Sequence, residues 1–236
     1  GVSGTGTITD NDAAPVFSVA DASISEGGLM SFTVTRTGDA QAAQSVNFAT
    51  SIAGGNSASS GDFSASSGSL SFAQGETSKT FTVQTTHDTL FEGNETFTVT
   101  LSGATAGATV SATQGAATGT IVDNDGTPTI THVGDGSINN VTVAEGTAAL
   151  FTVNLSNASS TATAFALTLA NGSATAPGDY THALSDASFS NGVTISGGTI
   201  TVPAGVTSFT VTVPSVNDTL YETSEDFTLS VGGVSG

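Results

Sequence analysis

The chain has 236 residues and carries 20 acidic side chains against two basic ones, for a formal net charge of −18 at pH 7. So few cations cannot neutralise phosphate backbones or anionic lipid headgroups, which disfavours nucleic acid and membrane surfaces as partners. There is no Cys, so disulfides and thiolate metal sites are excluded. No apolar run is long enough to cross a bilayer, so we expect no direct membrane insertion. Divalent cations are the expected counterions.

Alternation of apolar residues with Thr or Ser predicts strands along the whole chain. In chain order, the clearest segments cover residues 31–37, 80–86, 96–102, 150–156, 208–214 and 226–231. A period of two places one face of each strand in a core and the other in water. Clusters of Gly, Asn, Asp and Ser between them predict turns, and no segment has a sustained helical period. The predicted fold class is all-β, with immunoglobulin-like antiparallel β-sandwiches.

The Phe residues within these strands are predicted to form the cores, because one face of each strand must be buried. They are Phe32, Phe48, Phe72, Phe81 and Phe97 in the first half of the chain, and Phe151, Phe165, Phe209 and Phe227 in the second.

Two copies of one unit follow each other in the sequence. HDTLFEGNETFTV (87–99) matches NDTLYETSEDFTL (217–229), and ISEGG (24–28) is followed by a matching VAEGT (143–147) in the second copy. GDF at 61–63 likewise matches GDY at 178–180. The repeat predicts one sandwich over residues 13–125 and a second over residues 126–236.

The segment GTITDND (6–12) nearly repeats GTIVDND (119–125), and GVSG begins at both residue 1 and residue 233. We therefore expect residues 1–12 to be the terminal strand of a preceding repeat, and the second sandwich to lack its own last strand. The chain would be part of a longer array with a repeat of 232 residues. We also expect head-to-tail association, in which residues 5–10 of one molecule complete the second sandwich of the next.

Taken in order, SEGG, DTLFEGNETF and GTIVDND resemble Calx-beta domains, a family found in sodium–calcium exchangers, integrin tails and large bacterial surface proteins. The resemblance covers nearly the whole chain and is clearest over residues 14–125. It implies a β-sandwich whose acidic turns gather at one end. The scarcity of Lys and Arg and the inferred array are more similar to the repeats of giant bacterial adhesins than to the exchanger.

Acidic residues at the turns are the candidate metal ligands. Asp123 and Asp125 lie on one face of a strand, so a cation between them would relieve their repulsion. An all-oxygen ligand set suits Ca²⁺ better than Mg²⁺ or Zn²⁺. The alternative is that these residues are solvated turn residues that bind their own backbone. The candidates are Glu26, Asp62, Asp88, Glu92, Glu95, Asp123 and Asp125 in the first copy, and Glu145, Asp179, Asp218, Glu222 and Glu225 in the second.

The second copy has no DND segment of its own, so we expect its site to be incomplete unless Asp10 and Asp12 of a neighbouring molecule contribute. No catalytic residues are predicted. The chain has no G-x-S-x-G nucleophile elbow, and the His87–Asp88 pair becomes Asn217–Asp218 in the second copy.

These observations predict a calcium-binding repeat module that is not an enzyme. It would act as a rigidifying spacer in a large bacterial adhesin, outside the cell or on its surface, with neighbouring repeats as its partners. Two alternatives remain open at this point: an accessory module of a secreted hydrolase, and a calcium-sensing module of a membrane protein.

Overall fold

A computed structural model describes residues 1–9, 11–136 and 138–234. These residues form strands joined by turns, with one short 3₁₀ helix at Leu184–Asp186 and no α-helix among them. Within this described part, no helix has the length and apolar character needed to span a membrane. The chain divides into two compact units. The first comprises Gly1–Asp88 and Gly93–Asn124, and the second comprises Thr89–Glu92 and Asp125–Gly236.

The first unit is a sandwich of two sheets. One sheet has the strand order β6-β3-β1-β9 and the other has the order β2-β10-β8-β4-β5. Neighbouring strands are antiparallel, except that β9 pairs in parallel with β1 and β2 pairs in parallel with β10 at the sheet edges. The strands are β1 (Val16–Val19), β2 (Ala22–Ser25), β3 (Leu29–Thr37), β4 (Gln44–Ser51), β5 (Ser67–Phe72), β6 (Ser78–Gln84), β8 (Glu95–Ser102), β9 (Thr109–Val110) and β10 (Ala116–Val122), and the two-residue β7 (Leu90–Phe91) lies between β6 and β8 in the chain.

The core between these sheets is built on aromatic rings. Phe32 and Phe97 are fully buried, and their ring centroids are 5.9 Å apart. Phe81 stacks on Phe32 at 5.3 Å, and Phe63 stacks on Phe97 at 4.2 Å. All five Phe residues predicted for this core are buried, which confirms that the period-two pattern identified the inward face of the strands.

The two basic residues of the chain are held within this first sandwich. Arg36 is only 2 % exposed, and its guanidinium donates hydrogen bonds to the side chain of Gln44 and to the backbone carbonyls of Ala73 and Glu76. Lys79 forms an ion pair with Glu76 at 2.8 Å. Both basic side chains therefore make contacts within the first sandwich.

The second unit repeats the sandwich plan, and among the described residues its two main sheets have eight strands where those of the first unit have nine. One sheet has the order β11-β12-β18-β15, the other has the order β16-β17-β14-β19, and β7 pairs in parallel with β13. Phe165, Phe209 and Tyr180 are each about 1 % exposed in its core. The strands are β11 (Ile130–Gly134), β12 (Ala149–Leu155), β13 (Ala158–Ser159), β14 (Thr163–Asn171), β15 (Ser188–Phe189), β16 (Thr194–Ser196), β17 (Thr199–Val202), β18 (Ser208–Val213) and β19 (Phe227–Val234).

The two units differ at one sheet edge. In the first unit β8 has a neighbour on each side, β4 and β10. Its counterpart in the second unit, β19, pairs with β14 alone in the part of the chain that the structure describes. Residues 1–9 form no strand, and the side chains of Val2 and Ile8 are fully exposed. Pairing of this segment with a second molecule therefore stays a prediction.

Candidate metal centres

A glutamate-glycine turn places one carboxylate in each unit. In the first unit Gly27 follows Glu26 with φ +77°, and a Cβ added to it would lie 2.8 Å from the Cβ of His87. In the second unit Gly146 has φ +75°, and its added Cβ would lie 2.7 Å from the Cβ of Asn217. A side chain fits neither the backbone conformation nor the space. The absence of a side chain lets each turn pack directly on the loop that follows β6 or β18.

The glutamate of each turn binds that neighbouring structure. The side chain of Glu26 is 8 % exposed, and its Oε1 lies 3.7 Å from Nδ1 of His87. The same oxygen accepts a hydrogen bond from the backbone N–H of Asn124 at 3.3 Å. In the second unit, Oε1 of Glu145 accepts a hydrogen bond from the N–H of Asp218 at 2.7 Å. Sequence reasoning missed His87 as a neighbour of Glu26, because Asn occupies its position in the second copy.

Three further carboxylates of the first unit lie at or near strand ends: Asp62 and Asp123 are in loops, and Glu95 is the first residue of β8. Asp62 accepts hydrogen bonds from the backbone N–H and the hydroxyl of Ser59, and one of its oxygens lies within 4.8 Å of a Glu95 oxygen. Asp123 and Asp125 follow β10, which ends at Val122, so they do not share the strand face that the sequence predicted. Asp123 accepts a hydrogen bond from the N–H of Gly93 at 2.7 Å. These contacts hold the carboxylates in defined positions.

The remaining predicted residues of the first copy occupy different environments. Asp88 is exposed in the loop after β6. Glu92 and Asp125 are half-buried and belong to the second compact unit. In the N-terminal segment, Asp12 is exposed, and Asp10 lies outside the described residues.

The second unit contains a group of three carboxylates. Asp179, Glu222 and Glu225 each offer one oxygen, and these oxygens all lie within 4.8 Å of one another. Asp179 is fixed by the backbone N–H of Thr175, which donates to its Oδ2 at 2.6 Å. Asp218 has a different role, because its Oδ1 accepts a hydrogen bond at 2.7 Å from the N–H of Leu220, two residues further along. That is the turn geometry expected of a solvated aspartate.

The electrostatics of this group favour a cation. Glu222 and Glu225 are exposed, but desolvation by the neighbouring protein atoms raises the pKa of Glu222 above its ordinary value, and repulsion from Asp179, Asp218 and Glu145 adds to the shift. Desolvation also raises the pKa of Glu225, and repulsion from Asp179 and Glu222 adds to this shift. Carboxylates that resist ionisation together are stabilised when a positive ion sits among them.

The donor set fits Ca²⁺. Every ligand in the group of the second unit is a carboxylate oxygen, the type that hard divalent cations prefer, and flexible geometry suits calcium in particular. The repeats align Asp62, Glu92 and Glu95 of the first copy with the three residues of this group. The second copy brings its three carboxylates together without a DND segment of its own.

The fold and these acidic groups define a tandem β-sandwich module that presents clustered carboxylates. The chain belongs to the Calx-beta family, since the model of the Calx-beta domain matches residues 10–125, 137–204 and 197–235. Calx-beta domains are calcium-binding modules, and the family is one of regulatory and binding domains. No match was found among curated proteins.

Several solved structures are similar to this chain. The apo-form Calx CBD1 domain is 25 % identical and has a TM-score of 0.43, with coverage of 48 % of this chain and 100 % of that one. The calcium binding domain CBD12 of CALX1.1 is 20 % identical with a TM-score of 0.43, covering 93 % of this chain and 80 % of that one. A two-domain protein of unknown function from Bacteroides fragilis is 10 % identical with a TM-score of 0.34, covering 85 % and 88 %.

Proposed function

We propose that this chain is a calcium-binding repeat module that acts as a rigidifying spacer in a large bacterial surface protein, outside the cell. The observation that carries the calcium assignment is the group formed by Asp179, Glu222 and Glu225, whose oxygens lie within 4.8 Å of one another. The raised pKa values of the two glutamates support it, because desolvation and the repulsion among these carboxylates both disfavour their charged forms, which a bound cation would stabilise.

The mechanism is electrostatic. Without an ion, the carboxylates repel one another and favour loop conformations that move them apart. A bound Ca²⁺ draws the loop after β14 and the segment before β19 onto one centre, which restricts both. Extracellular calcium modules bind with dissociation constants of about 10⁻⁴ to 10⁻³ M. Calcium at about 10 times the dissociation constant adds about 1.4 kcal/mol of stability per site.

The spacer role is supported by the repeated sequence and by the charge distribution. A unit that recurs in tandem suits an array built by addition of identical parts. The two basic residues, Arg36 and Lys79, take part in hydrogen bonds and an ion pair of the first sandwich, so little positive charge remains to hold an anionic ligand. The negative charge of such a module repels other anionic surfaces and attracts divalent cations.

Thermal unfolding in EDTA and in a calcium titration tests the ion site. We expect millimolar calcium to raise the melting temperature by several degrees. The variant Asp179→Asn/Glu222→Gln/Glu225→Gln should lose most of this rise, whereas Asp186→Asn, which removes an exposed acid outside the group, should retain it. No shift in the unmodified chain, or an equal shift in the triple variant, would contradict the assignment. Saturation at far lower calcium would favour a sensor over a spacer.

The spacer role needs a separate measurement. The chain has no Cys, so spin labels attach only at introduced positions. Thr82→Cys on β6 and Thr201→Cys on β17 place one label on an exposed strand position of each unit. If calcium stiffens the array, the distribution of label–label distances should narrow when calcium is added. An unchanged width in a protein that binds calcium would refute the stiffening role and leave the ion site intact.

A further inference from the structure

The second sandwich has an open sheet edge beside a cleft. Strand β19 pairs with β14 on one side, and its other side has no strand in the described part of the chain. Next to it lies a cleft of about 760 Å³, lined by residues 139–145 on one wall and by residues 222–229 on the other. An unpaired strand presents a row of backbone donors and acceptors to any strand that can fit beside it.

The first sandwich shows what occupies the corresponding position. There β10 lies between β2 and β8, the counterparts of the two walls of the cleft. Ile121 of β10 is 4 % exposed in the core. Gly119 passes directly over two rings, since an added Cβ would lie 2.5 Å from Phe97 and 2.9 Å from Phe32.

The rings at the matching positions of the second sandwich line the cleft. The repeats align Phe32 with Phe151 and Phe97 with Phe227, and both of these second-unit residues lie on its walls. Phe97 is fully buried, whereas Phe227 is half-buried. The cleft therefore lies where β10 lies in the first sandwich, and it exposes the apolar surface that such a strand would cover.

The chain carries a segment with the sequence of that strand. Residues 6–9 read GTIT, where β10 reads GTIV at residues 119–122. Ile8, at the position of Ile121, is 99 % exposed, and no described atom lies within 4 Å of a Cβ added to Gly6. This segment has the pattern of a core strand but is not packed in the structure.

We propose that residues 3–9 of a second copy of this chain insert beside β19 as an antiparallel strand and fill the cleft. The register follows from the pairing of β10 with β8, in which Gly119 is opposite Phe97 and Thr118 is opposite Thr98. By the alignment of the repeats, Gly6 would lie opposite Phe227 and Thr5 opposite Thr228. Ile8 would then enter the core as Ile121 does.

This association is head to tail and does not close on itself by symmetry. Each molecule offers one donor segment and one acceptor edge, so successive molecules add into open chains. Both partners carry a net charge of −18, which opposes their approach. Because the Debye length falls to about 3 Å in 1 M salt, association should strengthen as salt is added.

Sedimentation of the 236-residue chain over a range of concentrations tests the proposal. The runs are made in EDTA at high salt, so that the result does not depend on calcium binding. We expect dimers and longer species that increase with concentration. Ile8→Asp should weaken association roughly 10- to 100-fold, because Ile8 loses its burial. Val2→Asp adds the same charge at a fully exposed residue just outside the proposed strand, and it should leave association unchanged.

Cysteine cross-linking tests the register. One chain carries Thr5→Cys and a second, longer tagged chain carries Thr228→Cys, and the two are mixed and oxidised. We expect the disulfide-linked heterodimer in high yield, and a much lower yield when Ser230→Cys replaces Thr228→Cys, because it shifts the partner by two residues.

Four outcomes would overturn the proposal, and the first three come from the experiments above. They are a monomer at every concentration, equal effects of Ile8→Asp and Val2→Asp, and equal cross-linking in both registers. A disulfide within a single chain carrying Thr5→Cys and Thr228→Cys, formed at the same rate at every dilution, would also overturn it. That result would show that the segment fills the cleft of its own molecule.

Discussion

The substitution Ile121→Ala measures how much the β10 strand contributes to the first sandwich. Ile121 is 4 % exposed, and β10 is held between two neighbouring strands, which limits collapse around a vacated space. Ile→Ala removes three carbon atoms, and at about 0.8 kcal/mol each the transfer free energy lost is about 2.4 kcal/mol. The cavity that remains adds to this, so the expected loss of stability is about 3 to 4 kcal/mol.

Ile8→Ala is the matched control, because it makes the same change in the same GTI sequence at a residue that is 99 % exposed. It should cost almost nothing in dilute solution. Urea unfolding followed by far-ultraviolet circular dichroism should show a midpoint lower by about 1.5 to 2 M for Ile121→Ala, for a slope near 2 kcal/mol per M. Tyrosine fluorescence provides an internal reference, since Tyr180 and Tyr221 both lie in the second unit and there is no Trp. Equal midpoints for the two variants would refute the packing of β10 described above.

Two further predictions concern the second unit. Gly146→Ala should destabilise it by about 1 to 3 kcal/mol, because the added Cβ meets Asn217 at 2.7 Å in a left-handed backbone. Gly205→Ala, at φ +76° with open space around it, measures the cost of the backbone conformation alone. Equal losses of stability for the two variants in tyrosine-detected unfolding would exclude the clash. In calcium-free protein, the raised pKa values of Glu222 and Glu225 mean that the folded chain binds protons at pH values where the unfolded chain has released them. The stability of the folded chain should therefore increase as the pH falls through those raised pKa values towards 4.5. The double variant Glu222→Gln/Glu225→Gln should lose this part of the pH dependence, and identical melting profiles across that range would contradict it.

The strands with strict alternation could be predicted from the sequence. The pattern at residues 31–37 corresponds to β3, and that at residues 226–231 corresponds to β19. The sheet edges could not be predicted, because they depend on contacts distant in sequence. The first two strands join different sheets: β1 lies beside the edge strand β9, and β2 forms the edge of the other sheet beside β10, each as a parallel pair. Four-residue segments carry too little pattern to indicate which sheet they join.

The sequence predicted which acidic residues are candidate ligands, but it could not predict which of them lie close together. Acidic turn residues that recur in both copies include Asp179 and Glu222, which lie together, but also Asp218, which binds the backbone of its own turn. Spacing does not separate these cases, because each outcome depends on the loop conformation and on which N–H groups lie nearby. The contact between Glu26 and His87 likewise depends on the packing of two loops that are far apart in the chain.

The positions of the two basic residues also determine where and when trypsin can cleave the chain. Trypsin cleaves after Arg and Lys, and here it has two target bonds in 236 residues, both within strands of the first sandwich. Arg36 is 2 % exposed, and the Lys79 side chain is paired with Glu76, so cleavage must wait until that sandwich opens. The second sandwich has no such bond and resists trypsin even when it is unfolded. Tryptic digestion therefore reports the opening of the first unit and is insensitive to the second. The resistance of the second unit to trypsin comes from its composition and does not depend on its stability.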